Sequence, residues 1–190
     1  MPLEPLIPVN LPNLITIARI LLVPVTVWLI ITGSYGLAFL AFLAAGISDG
    51  IDGAIARRFG LKTELGAYLD PIADKGLLGA IYITLGILGD LPAWLVIAVV
   101  TRDVLIVGGV MLAWVVDKPM AVRPSLTSKV NTAAQIIFAG LVMLALAVSG
   151  QLAGIVRYGG PLVALSTFLS GAFYMRDWIR HMTTAPEGTS

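Results

Sequence analysis

The chain has 190 residues, 58% of them hydrophobic and 12% charged, with a mean hydropathy of +0.95, whereas soluble domains carry roughly 25% charged residues. That balance excludes a water-soluble globular domain, and six bilayer crossings of about 20 apolar residues each leave no length for a separate catalytic domain. Lys and Arg number 12 against 11 Asp and Glu with no basic cluster, which argues against a nucleic-acid surface. The chain has no Cys, and His181 is its one His. Disulfides, thiolate chemistry, zinc and Ser-His catalysis drop out, and carboxylates are left to carry any chemistry.

Taken in chain order, the apolar pattern predicts six helices, at about 13–33, 37–58, 66–89, 92–116, 127–149 and 156–178. The first begins at Pro12-Asn13 and is interrupted by Arg19; with no basic segment before it and no small-residue cleavage site after it, it reads as a mature helix and not a leader. Pro92 after Gly89-Asp90 opens the fourth, and Thr127 or Ser128 caps the fifth. The tail from His181 to Ser190 is expected to be irregular. Arg57, Arg58, Lys62, Lys118, Arg123, Lys129, Arg176 and Arg180 all fall at one set of helix ends, which the positive-inside rule makes cytoplasmic. The expected fold is an all-α integral membrane protein. It is one domain over residues 1–190, with six transmembrane helices and both termini in the cytoplasm.

Four aspartates, Asp49, Asp52, Asp70 and Asp74, lie within 26 residues of this apolar chain. The i,i+3 spacing of the first pair and the i,i+4 spacing of the second put each pair on one helix face. Counting at about 1.5 Å per residue, Asp49 and Asp52 lie roughly 14 and 9 Å below the cytoplasmic end of their helix, and Asp70 and Asp74 roughly 6 and 12 Å below theirs. Each charge at such a position costs on the order of 2.5 to 3.5 kcal/mol, and like charges add repulsion. Lys75 and Arg57 are too few to offset this, so a hard divalent cation, Mg²⁺, Mn²⁺ or Ca²⁺, is the natural partner. Protonated acids bonding neighbouring helices, or an ion or proton pathway, are the alternatives; a pathway would favour acids near the midplane spread over several helices.

The string Asp49-Gly-Ile-Asp52-Gly53-Ala-Ile-Ala56-Arg57, eight residues, Gly66, three residues, Asp70, three residues, Asp74 resembles the signature of the CDP-alcohol phosphatidyltransferases at every fixed position. The resemblance implies transfer of a phosphatidyl group from a CDP-linked lipid to an alcohol with release of CMP. Asp49, Asp52 and Asp70 would hold two Mg²⁺ or Mn²⁺ ions, Asp74 would complete that cluster and act as general base, and Gly53, Ala56, Arg57 and Gly66 would accommodate the cytidine and its phosphates. It also implies a homodimer, in the inner membrane of a bacterium or of a mitochondrion, with the site facing the cytoplasm. An aspartate-rich prenyltransferase does not fit, because its acidic motifs lie far apart in a longer chain.

For the acceptor, the stretch from Asn10 to Arg19 resembles both phosphatidylglycerophosphate synthases and the cardiolipin synthases of this family. Arg102-Asp103 and the segment from Arg123 to Gln135 look more like the cardiolipin synthases, since glycerophosphate-using relatives tend to have Arg-Glu at the first place and Lys where this chain has Asn131. The resemblance thus implies phosphatidylglycerol as acceptor, with glycerol 3-phosphate as the alternative. Arg102, Arg123, Lys129 and Asn131 are the candidate acceptor-binding residues, and Arg102-Asp103 also reads as an ion pair.

Overall fold

The computed structural model describes residues 11–59, 64–116, 126–148 and 152–183, without the side chains of 11–17, 49–59, 64–75, Trp114 and Leu152. Among the described residues there are six helices and no strand: α1 (Leu11–Ile31), α2 (Tyr35–Phe59), α3 (Glu64–Ile87), α4 (Ala93–Val115), α5 (Leu126–Val148) and α6 (Leu152–Thr183).

Two helix ends fall short of expectation for one reason. Gly33 and Gly89 have φ of 74° and 84°, the left-handed conformation that a glycine adopts without a Cβ penalty. Gly33 N–H donates to Ile30 O and Ser34 N–H to Leu29 O, and Gly89 and Asp90 repeat the pair onto Gly86 and Leu85. Each set is a Schellman cap, which closes the helix two residues before its glycine. At the other extreme α6 runs to Thr183, so His181 is helical. Arg180 and His181 in its last turn complement the negative end of the helix dipole. The Thr183 hydroxyl donates to Ile179 O and Arg180 O. Residues 184–190 lie outside the description.

The helices alternate in direction. One core cluster draws on the end of α1 (Ile30), the start of α2 (Ala38, Phe42, Ala45), the latter part of α3 (Leu77 to Leu85), the start of α4 (Leu95, Val99), the latter part of α5 (Phe138 to Met143) and Val163 of α6. The two Schellman turns therefore share one end of the bundle, called here the turn end. A 3.0 Å hydrogen bond from the Tyr35 hydroxyl to Asp90 Oδ2 ties them together. At the other, open end lie the starts of α1, α3 and α5. α1 packs on α2 and α3, α5 joins α2, α3 and α6, and α4 lies between α3 and α6.

Large apolar side chains also cover the outside: Leu21 and Trp28 on α1, Ile97 and Met111 on α4, Ile137 on α5, Leu162 and Phe168 on α6. Among the described residues two helices, Ala93–Ala113 and Leu126–Val148, are long and apolar enough to cross a membrane. An apolar exterior over a hydrogen-bonded helical interior is the arrangement a lipid solvent favours, and marks a membrane protein.

α4 and α6 run parallel along a seam of side-chain to backbone bonds. The Tyr174 hydroxyl donates to Ile106 O at 3.0 Å, and Trp178 Nε1 to Gly109 O at 2.9 Å. Trp178 is thus half-buried against α4. Gly109 permits the approach, since a Cβ there would lie 2.7 Å from the Tyr174 oxygen and 3.3 Å from Trp178 Cδ1. Gly109→Val is expected to destabilise the protein by about 1 to 3 kcal/mol through overpacking, read as a lower thermal midpoint in detergent.

Candidate functional site

Asp49 and Asp52 lie on α2, and Asp70 and Asp74 on α3. The side chains of these four, and those of Gly53, Ala56, Arg57 and Gly66, fall outside the described residues, as does all of Arg123. Their levels along the bundle follow from the backbone. With Tyr35 bonded to Asp90, α2 and α3 can be counted from a common end. Asp49 and Asp52 lie about 21 and 26 Å below Tyr35, and Asp74 and Asp70 about 20 and 26 Å below Ile87. The helices thus bring the two acid pairs to one layer, from opposite chain directions. Its donors are all oxygens, with no His or Cys within it, and such a set suits Mg²⁺ or Mn²⁺. Among the described residues no other group of three acids or His could hold a metal.

A second polar cluster fills the space between α4, α5 and α6. Arg102 is 4% exposed, and its Nη1 donates to Asp103 Oδ1 at 2.6 Å, while Nη2 donates to Ser128 Oγ at 2.6 Å and Ser170 Oγ at 2.8 Å. The expected ion pair is present. Residue counting puts Arg102 about 20 Å from the open end, yet its guanidinium reaches Ser128, the third residue of α5.

One turn further along α5, Asn131 is fully buried, and its Oδ1 accepts from Ser166 Oγ at 2.8 Å and Thr167 Oγ1 at 2.9 Å. Gln135 Nε2 donates to Thr167 Oγ1 at 3.1 Å, and Gln135 O accepts from the Tyr82 hydroxyl of α3 at 3.1 Å. Within this cluster three atoms keep unspent capacity among the described residues: Arg102 Nε, Asn131 Nδ2 and Gln135 Oε1. Buried polar atoms are seldom left so, and a polar ligand or water seated between α4 and α5 would satisfy them.

Of the sequence candidates, Arg102 and Asn131 belong to this cluster, whereas Lys129 is exposed outside it. Gln135, Ser166, Thr167 and Ser170 are partners that sequence reasoning did not single out as site residues, and Ser128, expected as a cap of the fifth helix, lies inside the first turn of α5 and accepts from Arg102. The available signal was three hydroxyls, Ser166, Thr167 and Ser170, at helical spacing in an apolar stretch. Arg19, 2% exposed on α1, was also missed as a site residue.

An acidic layer suited to divalent ions and a buried polar cluster built on the Arg102–Asp103 pair, in one apolar helical bundle, are equipment for moving a phosphate-linked lipid group. Residues 9–170 match the family model of the CDP-alcohol phosphatidyltransferases, and the chain belongs to that family. It is 33% identical to a probable phosphatidylglycerophosphate synthase of Mycobacterium tuberculosis, over 90% of this chain and 82% of that one. It is 36% identical to the chloroplastic CDP-diacylglycerol--glycerol-3-phosphate 3-phosphatidyltransferase 1 of Oryza sativa, over 71% of this chain and 46% of the relative. Against a probable cardiolipin synthase (CMP-forming) of Drosophila melanogaster it is 37% identical over 70% and 46%. The chain is an enzyme, a CDP-alcohol phosphatidyltransferase, and the ion-pathway alternative falls away.

Proposed function

We propose that this chain crosses the membrane six times with both termini cytoplasmic. In this reading it transfers the phosphatidyl group of CDP-diacylglycerol to phosphatidylglycerol, forming cardiolipin and CMP. The acceptor assignment is carried by the buried amide of Asn131, held by two neutral hydroxyls beside an Arg102 already paired with Asp103. That cluster is close to neutral. It suits the single negative charge of a phosphodiester headgroup better than the nearly double charge of a phosphomonoester.

In this reading Asp49, Asp52, Asp70 and Asp74 hold two Mg²⁺ or Mn²⁺ ions, which when bound neutralise the diphosphate and the developing charge on CMP. Gly53, Ala56, Arg57 and Gly66 accommodate the cytidine and its phosphates. Asp74 takes the proton of the acceptor hydroxyl. The hydroxyl oxygen bonds to the lipid-side phosphorus, the bond from that phosphorus to the bridging oxygen breaks, and CMP leaves with the electron pair. Arg102, fixed by Ser128 and Ser170, faces the acceptor phosphate with its remaining N–H, and Lys129 and Arg123 attract that phosphate at the cytoplasmic surface. The enzyme acts as a homodimer in a bacterial inner membrane, or in the mitochondrial inner membrane of a eukaryote.

Phosphatidylglycerophosphate synthesis is the second reading, favoured by the longer coverage of the mycobacterial relative. Purified protein given labelled CDP-diacylglycerol, Mg²⁺ or Mn²⁺ and one acceptor at a time separates the two. Labelled cardiolipin from phosphatidylglycerol is the expected product. Product formed with glycerol 3-phosphate alone overturns the lead.

A further inference from the structure

α1 carries no member of the family motif, yet it buries a cation. Arg19 is 2% exposed and shares a stripe with Thr26 and Ile30, the other two buried residues among the described side chains of the helix. Spacings of seven and four residues put all three on one face. Ile30 lies in the core cluster beside residues of α2 and α3, and α1 packs on these two helices alone among the described contacts. The stripe therefore faces α2 and α3, the helices of the acidic layer. Thr26 settles its own hydroxyl on Leu22 O at 2.7 Å, and Arg19 is the one charged group of the stripe.

Height agrees with direction. Arg19 lies about 18 Å below Ile31, and helical side chains lean toward the N-terminus, here the open end. That lean carries the guanidinium toward the level of Asp49, Asp52, Asp70 and Asp74, whose backbone lies at about 20 to 26 Å. Two divalent ions balance four carboxylates, and the donor diphosphate then adds roughly two negative charges to a poorly solvated layer. Arg57 of the motif offsets one of these. A guanidinium offers a planar fork matched to two phosphate oxygens.

We propose that Arg19 is a donor-binding residue that holds the diphosphate of the CDP-linked lipid from the α1 side. This rests on the donor assignment made above. The test uses the full chain in detergent with saturating Mg²⁺ and measures CDP affinity by calorimetry, KM for CDP-diacylglycerol and for the acceptor, and the thermal midpoint without ligand. Arg19→Gln is expected to weaken CDP binding and raise the donor KM at least tenfold, with the acceptor KM within twofold of wild type. Arg19→Lys keeps the charge and loses the fork, so it should fold normally and recover part of the affinity, remaining at least threefold weaker. Should Arg19→Gln not fold, Arg19→Lys decides alone. Wild-type CDP affinity in the variants overturns the proposal, as does a change confined to the thermal midpoint, which would make Arg19 a structural counter-ion. If wild-type protein neither binds CDP nor uses CDP-diacylglycerol, the donor reading itself fails and this inference with it.

Discussion

Asp74→Asn is expected to lower turnover by about 10² to 10⁴, the usual contribution of a positioned general base, while CDP affinity at saturating Mg²⁺ stays within a few-fold of wild type. The substitution keeps the shape of the side chain and one oxygen donor, so the local packing of α3 and part of the metal coordination survive. It removes the lone pair that accepts the acceptor's proton. Asp49→Asn or Asp70→Asn should behave differently, weakening metal and CDP binding together, because in the proposed arrangement those carboxylates are ligands without a share in proton transfer. The comparison needs two measurements on each variant, CMP release and calorimetric CDP binding across a Mg²⁺ series. CMP release by Asp74→Asn within threefold of wild type removes the base assignment. Equal loss of CDP binding in all three variants would make Asp74 only a ligand.

The acidic layer was legible in the sequence because its information is local. Aspartates at i,i+3 and i,i+4 in an apolar chain fix a helix face, and the cost of charge in such a chain is the argument for the divalent partner proposed above. Helix number was legible for the same reason. Helix ends were less so: Gly33 and Gly89 look like apolar-compatible residues in a hydropathy pattern, and only the left-handed backbone places them beyond the last turn. The α4–α5–α6 cluster was half visible. Arg102 and Asn131 stood out by type, but their partners are hydroxyls of α6, and in a lipid-facing helix Ser and Thr ordinarily satisfy themselves on their own backbone, as Thr26 and Thr84 do here. Which hydroxyl turns outward to another helix depends on packing. Arg19 illustrates the same limit. In sequence it marks a break in an apolar run, and its meaning appears once its stripe is known to face α2 and α3.

Arg102→Met should be the most destabilising single change in the second cluster, by about 3 to 5 kcal/mol, since it strands a mostly buried Asp103 carboxylate without its cation. It also leaves Ser128 and Ser170 without their donor, though each hydroxyl can turn to another acceptor at smaller cost. The double variant Arg102→Met with Asp103→Asn removes both charges at once. Replacing a buried pair by neutral groups of similar size is often close to neutral, so most of the lost thermal stability should return. Activity separates the two roles that a buried pair can have. If Arg102 only neutralises Asp103, the double variant regains turnover along with stability. With Arg102 meeting the acceptor phosphate, the double variant should be stable yet show an acceptor KM raised at least tenfold and a donor KM near wild type. A Ser170→Ala variant should move the acceptor KM in the same direction by a smaller factor, because it loosens the guanidinium without removing it. A double variant that is stable and has a wild-type acceptor KM would show that the pair serves folding alone.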